Sequence, residues 1–422
     1  MIKILNASEF KPSRTAQQSG SAEVTETVAE IIADVAKRGD AAVRDYTEKF
    51  DGCRLEALEV LPDEIDAACR TVDQRFIEVM ERAAKNIEDF HRRQIREGFV
   101  MTSCDGVVLG QRIIPVRRAG IHIPAFSAAC PSSVLMNCIP AKLAGVEEII
   151  ITAPPAKGTV RVNPGILAAA KIGGAHRVFS IGGAQAVAAL AYGTDSVPAV
   201  DVITGPGNAY VAEAKRQVYG IVGIDMIAGP SDILVIADEN ADPALVAADM
   251  LSQAEHGELS IAILITLCPQ HAEKVSIELE AQLAVLPREG EARNSIDNNG
   301  MIIIADSIEQ AFDISNELAP EHLEIFLDNP FEHLGKVNNA GSVFLGRNTP
   351  EALGDYFAGP NHTLPTSGTA RFAGPLSVDN FVKKSSFTYY TADAFKAAAP
   401  DVIRFAKEEK LDAHALSISK RT

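Results

Sequence analysis

Three short runs rich in β-branched residues decide the fold: IIIT at residues 149–152, RVFSI at 177–181 and VDVIT at 200–204. Each run is followed by an alanine-rich stretch of helical composition, and glycine, proline and asparagine stand at the junctions. Strands that alternate with helices in this way form parallel sheets covered by helices. The centre of the chain is therefore predicted to be α/β.

A second set of strands follows the first. The runs are residues 233–237, 261–266, 301–305, 323–327 and 343–345. Helical stretches separate several of them, so we predict an α/β fold with two Rossmann-like parallel-sheet units. The first hundred residues have helical composition, with Asp73 as an N-cap, and the tail from Thr391 is predicted to be helical and interrupted by Pro400. These segments form helical N-terminal and C-terminal extensions.

The predicted domain boundaries follow from these patterns. Residues 1–23 form an N-terminal arm, and residues 24–119 join 235–375 in a first α/β domain. Residues 120–234 form a second α/β domain, and 376–422 form a C-terminal helical tail.

Composition excludes several classes of protein. The chain has 422 residues, and its 39 Lys and Arg against 56 Asp and Glu give a net charge of −17, so nucleic acid and anionic membrane surfaces are poor partners. No apolar run approaches the roughly 20 residues that a membrane span needs. The first residues carry no signal-peptide pattern, which favours a cytoplasmic protein. The six cysteines are scattered, so a metal would need His, carboxylate or amide ligands.

Two glycine-rich turns are candidates for phosphate binding. Gly182-Gly183-Ala184-Gln185 and Gly205-Pro206-Gly207-Asn208 each join a strand to a helix. Glycine there lets backbone N–H groups approach an anion at the helix N-terminus. The alternative is that tight strand-to-helix turns need glycine in any case.

A helix that opens at Asp242-Pro243 ends near two candidate metal ligands. Gln253 and His256 are three residues apart, so they project from one face near the helix end. The alternative is a solvated C-terminal turn. Glu321 and His322 are adjacent just before a strand, where neighbouring side chains point to opposite faces. They could serve two different proton transfers, or they could be a charge pair at a strand edge.

A long Gly/Pro-rich loop that runs to Pro375 carries Asp355 and His362. Loops of this length inside a compact domain are often functional. Asp355 and His362 would supply acceptable zinc ligands together with His256 if the fold brought them together. Near the end of the chain, Glu409 and His414 form another acid and imidazole, which in isolation would be a surface pair.

Several of these segments together resemble the histidinol dehydrogenase family, in an order and spacing that run through nearly the whole chain. The matching segments are PSSVLMN at 131–137, GGAQA at 182–186, GPGNA at 205–209, EAKRQ at 213–217, AGPS at 228–231, LSQAEHG at 251–257, APEHL at 319–323, GDY at 354–356, NHTLPT at 361–366 and LDAH at 411–414.

The resemblance implies a zinc- and NAD-dependent enzyme that oxidises L-histidinol through L-histidinal to L-histidine, the last steps of histidine biosynthesis, with two NAD consumed. It implies one zinc per subunit on Gln253, His256, Asp355 and His414. In the family the last ligand comes from the partner subunit, so the resemblance implies a homodimer with shared active sites and a C-terminal tail that reaches the partner. This donor set would also accept manganese or cobalt.

The family also implies roles for further residues. Catalytic acid/base roles fall on Glu321 and His322, and His362 is expected near the substrate. NAD contacts fall on Gln185 and Asn208, which makes 120–234 the cofactor side. The implied substrate contacts are Ser231, Gln253, His256, His322, Asp355, Glu409 and His414.

One loop departs from the family pattern. The family usually reads Gly-Leu-Tyr-Val-Pro-Gly-Gly, whereas this chain has Gly120-Ile121-His122-Ile123-Pro124-Ala125-Phe126. His122 therefore stands in the position of a tyrosine that contacts NAD, and Ala125 and Phe126 replace two glycines. Side chains at positions that need a close backbone approach would weaken cofactor binding or change the path of the loop.

Two other interpretations stay open at this point. The chain could be a related zinc-dependent dehydrogenase of another small polar alcohol, although Ser231, Glu409 and His414 match the set that recognises the amino alcohol. It could also be a non-catalytic zinc-binding dimer that has lost NAD, although Glu321 and His322 are retained. The second alternative predicts ligand binding without nicotinamide reduction.

Overall fold

A computed structural model describes residues 2–11, 22–124, 130–156 and 158–422. They divide into two compact units, of which the first takes the described parts of 1–94 and 116–381, and the second takes 95–115 and 382–422. Among the described residues, no helix is long and apolar enough to cross a membrane.

The secondary structure comprises fifteen strands and fifteen α-helices in the described ranges. The strands are β1 (Lys3–Asn6), β2 (Glu59–Val60), β3 (Phe99–Cys104), β4 (Val107–Pro115), β5 (Arg118–His122), β6 (Glu148–Thr152), β7 (Arg177–Phe179), β8 (Val202–Thr204), β9 (Gly223–Ile224), β10 (Asp232–Ala237), β11 (Ile261–Thr266), β12 (Met301–Ile304), β13 (His322–Phe326), β14 (Ser342–Leu345) and β15 (Val382–Tyr390). The helices are α1 (Ala22–Arg38), α2 (Asp40–Asp51), α3 (Pro62–Cys69), α4 (Gln74–His91), α5 (Pro131–Ala144), α6 (Pro164–Gly173), α7 (Gly183–Tyr192), α8 (Ala209–Val218), α9 (Pro243–Ala254), α10 (Pro269–Leu283), α11 (Glu289–Asn299), α12 (Ile308–Leu318), α13 (Glu351–Leu353), α14 (Ala392–Glu408) and α15 (Asp412–Ser419).

The first sheet has the strand order β1-β12-β11-β10-β13-β14, and all of its neighbours are parallel. All six residues of β10 are buried, because helices cover both faces of the sheet. From β10 the chain moves outward through β11 and β12 and then returns to add β13 and β14 on the other side. This is the doubly wound arrangement of Rossmann-like folds.

The second sheet has the order β2-β7-β6-β5-β8-β9, in which only the short β2 pairs antiparallel. Here the chain moves from β5 through β6 to β7 and then returns to place β8 beside β5. The point where the strand order reverses therefore lies between β5 and β8. The two predicted parallel-sheet units are confirmed.

The second unit contains an antiparallel sheet, β15-β4-β3, that was not predicted from the sequence. Residues from Ala392 onward are helical as expected, but Val382–Tyr390 forms a strand within the tail. Strands β3 and β4 are joined by Asp105-Gly106, with Gly106 at φ +79°. Asp-Gly between two β-rich runs is a strong hairpin signal, and it could have revealed this sheet.

Two further details differ from expectation near the chain ends. Residues 3–6 form β1, which pairs with β12, so the first hundred residues are not wholly helical. Helix α14 continues through Pro400, although proline removes one backbone hydrogen bond, and Ala399 and Ala406 of this helix are buried.

The packing of α1 and α2 also differs from the expected grouping of residues 24–119 with the first sheet. Both helices pack against α7, and α1 also packs against α8, so they cover the second sheet. Val28, Ile31 and Val35 share a buried cluster with Val187 and Leu190. The apolar stripe of a helix is visible in its sequence, but the surface that it covers is not.

A buried ion pair connects helix α8 to the residue that follows β9. Lys215 and Asp225 are almost fully buried and paired, and Lys215 Nζ also donates to the carbonyl oxygen of Gly205 at 3.0 Å. We expect Lys215→Met to lower the free energy of unfolding by about 3–5 kcal/mol, because it leaves Asp225 charged and buried without its partner. Urea unfolding measures this. Lys171→Met breaks a pair with Asp66 that is exposed and screened by solvent, so it should destabilise the protein far less; equal losses would contradict the prediction.

Candidate active site

Candidate catalytic residues gather at the amino-terminal edge of the first sheet. Ser231 directly precedes β10 and Glu321 directly precedes β13, and the two strands are neighbours with Ile233 opposite His322. Helix α9 runs from the carboxyl end of β10 back toward the start of β11, so Gln253 and His256 return to this edge. Ligands of open α/β sheets usually bind at the carboxyl ends of the strands, so this site lies at the opposite edge.

The ring of His322 is buried and has a defined orientation. Its Nδ1 lies 2.9 Å from the carbonyl oxygen of Asp232, which can only accept a hydrogen bond, so Nδ1 carries the hydrogen. Nε2 has no hydrogen-bond partner in the described ranges and lies 3.8 Å from Asp355 Oδ1 and 3.9 Å from Glu351 Oε1. A neutral His322 therefore presents the lone pair of Nε2 toward these carboxylates.

Glu321 is held by a reciprocal pair of hydrogen bonds. Its Oε2 accepts from the backbone N–H of Asp232 at 3.0 Å, and its own N–H donates to Asp232 Oδ1 at 2.8 Å. Burial raises the pKa of Glu321 to about 8. Glu321 Oε2 lies 3.8 Å from His322 Nδ1, whereas Nε2 of that ring lies toward the other carboxylates. The acid and the imidazole thus have separate positions around one site.

His256, Glu351 and Asp355 form a potential metal-binding group, since one ligand atom from each lies within 4.8 Å of the others. Burial would raise the pKa of Asp355, but the neighbouring His322 and His362 outweigh it and lower the pKa to about 2. Burial lowers the pKa of His322, but the charges of Glu321, Glu351 and Asp355 prevail and raise it to about 10. The site thus concentrates negative charge around one imidazole.

The residues present fit a divalent cation. Gln253 is fully buried, and neither atom of its amide has a hydrogen-bond partner within the described part of the chain. An amide oxygen without a partner is costly unless a ligand takes it up. His, carboxylate and amide donors suit zinc and its neighbours. A cation beside Asp355 would also offset carboxylate charge and lower the pKa of His322 toward the range in which its ring is neutral.

His362 connects the site to helix α5 beside the second sheet. Its Nδ1 donates to the carbonyl oxygen of Asp355 at 2.8 Å, and its Nε2 accepts from Ser133 Oγ at 3.2 Å. A small pocket of about 110 Å³ includes Asp355 and His362 in its lining.

The predicted cofactor residues lie at the carboxyl edge of the second sheet. His122 is the last residue of β5, Gln185 is in the first turn of α7, and Asn208 caps α8 by accepting from the N–H groups of Tyr210 and Val211. His122 Nδ1 lies 3.0 Å from the carbonyl oxygen of Pro206, across the reversal point between β5 and β8. This is the position at which doubly wound sheets bind nucleotides.

Buried polar atoms at this edge lack hydrogen-bond partners in the described ranges. They are His122 Nε2, Thr152 Oγ1, Gln185 Oε1 and Thr204 Oγ1. Burial lowers the pKa of His122 to about 4, so its ring is neutral at physiological pH and Nε2 can only accept a hydrogen bond. Such atoms fit a polar ligand such as a dinucleotide. The predicted changes at Ala125 and Phe126 lie outside the described residues.

Three further predicted substrate contacts are divided between the two units. Ser231 is half-buried and lies directly before β10, whereas Glu409 and His414 are exposed residues of the second unit. Glu351 and Asp232 were not predicted as site residues from the sequence. Glu351 lies four residues before Asp355, and an acid at that helical spacing was the available signal. Nothing in the sequence pattern indicates that the carbonyl oxygen of Asp232 orients His322.

The fold has two doubly wound sheets. One carries a buried site with an acid and an imidazole, and the other has a polar edge of the kind that binds nucleotides. This combination is typical of an α/β oxidoreductase. The family model described as Histidinol dehydrogenase matches residues 14–422. The chain belongs to the histidinol dehydrogenase family.

Individual relatives agree over almost the full length. A histidinol dehydrogenase of Geobacter sulfurreducens is 52% identical over 404 residues, which cover 94% of this chain and 93% of the relative. One from Listeria monocytogenes is 50% identical over 403 residues, with 96% and 94% covered. A crystal structure of histidinol dehydrogenase from Elizabethkingia anophelis superimposes with a TM-score of 0.93 at 38% identity, covering 100% of this chain and 98% of that one.

Proposed function

We propose that the chain is a zinc-dependent enzyme that oxidises L-histidinol through L-histidinal to L-histidine with two NAD, completing histidine biosynthesis. The observation that carries the proposal is the orientation of His322. Its Nδ1–H donates a hydrogen bond to a carbonyl oxygen, so Nε2 is the nitrogen that is available as a base. The family membership supplies the substrate, and the buried acid–imidazole site supplies the two proton-transfer groups.

Zinc would be held by Gln253, His256, Asp355 and the partner subunit's His414, one ion per subunit. When bound, it would orient the amine and imidazole of the substrate so that the carbinol carbon faces the nicotinamide. Ser231, His322 and Glu409 complete the proposed substrate contacts, and His362 lies close by through its bond to the carbonyl oxygen of Asp355.

His322 performs the first proton transfer in this proposal. Nε2 takes the hydroxyl proton of histidinol as the carbinol hydride passes to NAD, which gives the aldehyde, NADH and a proton. The hydrogen bond from Nδ1–H to the carbonyl oxygen of Asp232 keeps the ring in the tautomer that this step needs. It also stabilises the ring after protonation, because Nδ1–H remains a donor.

Glu321 acts in the second stage. The ionised carboxylate of Glu321 accepts a proton from a water molecule that attacks the aldehyde carbon, and protonated His322 returns its proton to the resulting oxyanion, which gives the hydrated aldehyde. A second hydride transfer to NAD, with His322 again taking a hydroxyl proton, yields the carboxylic acid. The hydrogen bond from the backbone of Asp232 holds the carboxylate in place for this role.

NAD binding is proposed at the carboxyl edge of the second sheet. His122, Gln185 and Asn208 are the proposed contacts, and the amide of Gln185 and Nε2 of His122 both offer acceptors. His122 would replace the phenol of the family tyrosine by an acceptor that cannot donate. Buried free thiols such as Cys53 and Cys138 suit the reducing cytoplasm that we propose as its location.

We also propose a homodimer in which each active site takes Glu409 and His414 from the partner. The second unit by itself leaves much apolar surface exposed: eight of the nine residues of β15 are exposed, including Phe387, Tyr389 and Tyr390, and Phe405 on α14 is exposed as well. A sheet that a single chain leaves uncovered in this way is typical of an interface between subunits.

Subunit mixing tests the shared site. We expect His256→Ala and His414→Ala to be inactive separately but to recover about one quarter of normal activity after random re-association, because half of the dimers are then mixed and each has one intact site. Mixing each variant with itself is the control. No recovery in verified mixed dimers would place both histidines in one subunit's site.

The function itself is tested by product analysis. Purified protein incubated with histidinol, NAD and zinc should produce histidine, identified by mass spectrometry, and a chelator should stop its formation until zinc is restored. Oxidation of a different small alcohol in preference to histidinol would overturn the substrate assignment.

A further inference from the structure

Glu351 is a buried carboxyl group to which the proposed function assigns no role. Its side chain is about 2% exposed, and Oε2 accepts a hydrogen bond from Ser252 Oγ at 2.9 Å. Its backbone N–H donates to Glu324 Oε1 at 2.7 Å. These two contacts hold one oxygen and the main chain, while Oε1 lies toward His322 Nε2 at 3.9 Å.

The position of Glu351 suits direct metal binding. Ligand atoms of His256, Glu351 and Asp355 lie within 4.8 Å of one another. Two donors with metal–ligand bonds of about 2.0–2.2 Å are separated by roughly 3–4.4 Å, so small side-chain movements bring all three onto one ion. An independent observation points to the same place: the buried amide of Gln253, one helical turn before His256, has no hydrogen-bond partner in the described residues.

We propose that Glu351 is a displaceable ligand of the catalytic metal, bound through Oε1 in the substrate-free enzyme and replaced when the substrate binds. The inference rests on the proposed zinc function. The exchange involves no redox step: one metal–carboxylate contact is lost and one contact to a substrate nitrogen is gained. Ser252 holds the other oxygen in both states, so the carboxylate stays near the site.

Charge supports an exchange of this kind. Glu351 and Asp355 both lie beside His322 Nε2, and Glu321 lies beside Nδ1. A divalent cation that binds Asp355 and Glu351 together is fully neutralised by the two carboxylates. When a neutral nitrogen of the substrate takes the place of Glu351, the carboxylate of Glu351 leaves the ion while Asp355 stays bound.

The test is zinc affinity in the full-length dimer, measured by competition with a chromophoric chelator. We expect Glu351→Gln to weaken zinc binding at least about tenfold without histidinol, and less than about twofold when histidinol is saturating. Glu213→Gln is the matched control, because Glu213 is equally buried but is bound to Arg216 and Gln217 on α8. Glu351→Asp, which keeps the charge and shortens the side chain, should behave like Glu351→Gln and serves if the latter does not fold.

Replacing zinc with cobalt distinguishes a carboxylate that binds the metal from one that only lies near it. The visible spectrum of the cobalt enzyme without substrate should differ between the unchanged protein and Glu351→Gln, and the two spectra should converge when histidinol is added. If Glu351→Gln keeps the wild-type zinc affinity and an unchanged cobalt spectrum while Asp355→Asn loses zinc, the role of Glu351 as a ligand is overturned. The proposed metal site would then still stand. Retention of zinc by both Asp355→Asn and His256→Ala would overturn the proposed metal site and this inference with it.

Discussion

His322→Asn is expected to form NADH from histidinol about 10²- to 10⁴-fold more slowly than the unchanged enzyme, the usual contribution of a positioned acid–base group. In the proposed mechanism both hydride transfers need a hydroxyl proton to leave, and Nε2 is the base that the hydrogen bond to the carbonyl oxygen of Asp232 makes available. Asparagine keeps a donor for that carbonyl oxygen but has no base. Steady-state NADH absorbance and single-turnover kinetics measure the effect.

The loss should fall on kcat, because His322 is not among the proposed zinc ligands. Zinc affinity and histidinol binding by calorimetry should therefore change by less than about tenfold. His333→Asn is a suitable control, since His333 stacks on Phe312 away from the site. A His322→Asn enzyme that keeps more than about a tenth of the normal kcat would contradict the role of this imidazole.

Glu321→Gln is expected to separate the two oxidation stages. In the proposed mechanism the first hydride transfer does not need Glu321, so a single turnover should release the first NADH near the normal rate. Hydration of the aldehyde loses its base, and the second NADH should appear about 10²- to 10³-fold more slowly. The amide oxygen of glutamine can still accept from the backbone N–H of Asp232, so the local structure is kept.

Rapid-quench analysis should then show histidinal that is retained on the enzyme in place of histidine. Glu317→Gln, an exposed acid on α12, should show both phases at normal rates. Equal slowing of both phases in Glu321→Gln would mean that Glu321 serves the first step or the shape of the site, and the assignment to hydration would be wrong.

The two parallel sheets could be predicted because their strands are buried on both faces. Such strands are continuous β-branched runs, as in 149–152 and 261–266, and the helices between them carry clear caps at Asn163 and Asp242. The third sheet could not be found in this way. Strand β15 buries none of its residues in the chain alone, so it shows no hydrophobic alternation, and its partners are far away in sequence.

The candidate site was predictable in its residue types more than in its geometry. His256, Glu321, His322 and Asp355 carry recognisable chemistry, and the fold brings His256, His322 and Asp355 together. Their position at the amino edge of the first sheet depends on where α9 returns, which is a property of the topology. The role of the Asp232 backbone and the inward position of Glu351 depend on contacts between segments more than 25 residues apart, and sequence spacing does not encode such contacts.

The most direct test of the account is the number of NADH molecules formed at 340 nm for each histidinol consumed, with zinc present and in a parallel sample treated with a chelator. We expect two NADH per histidinol, lost on chelation and restored by zinc, and this result would also show that the loop with His122 admits the cofactor. Tight histidinol binding without NADH, or two NADH per histidinol that survive complete metal removal, would contradict it.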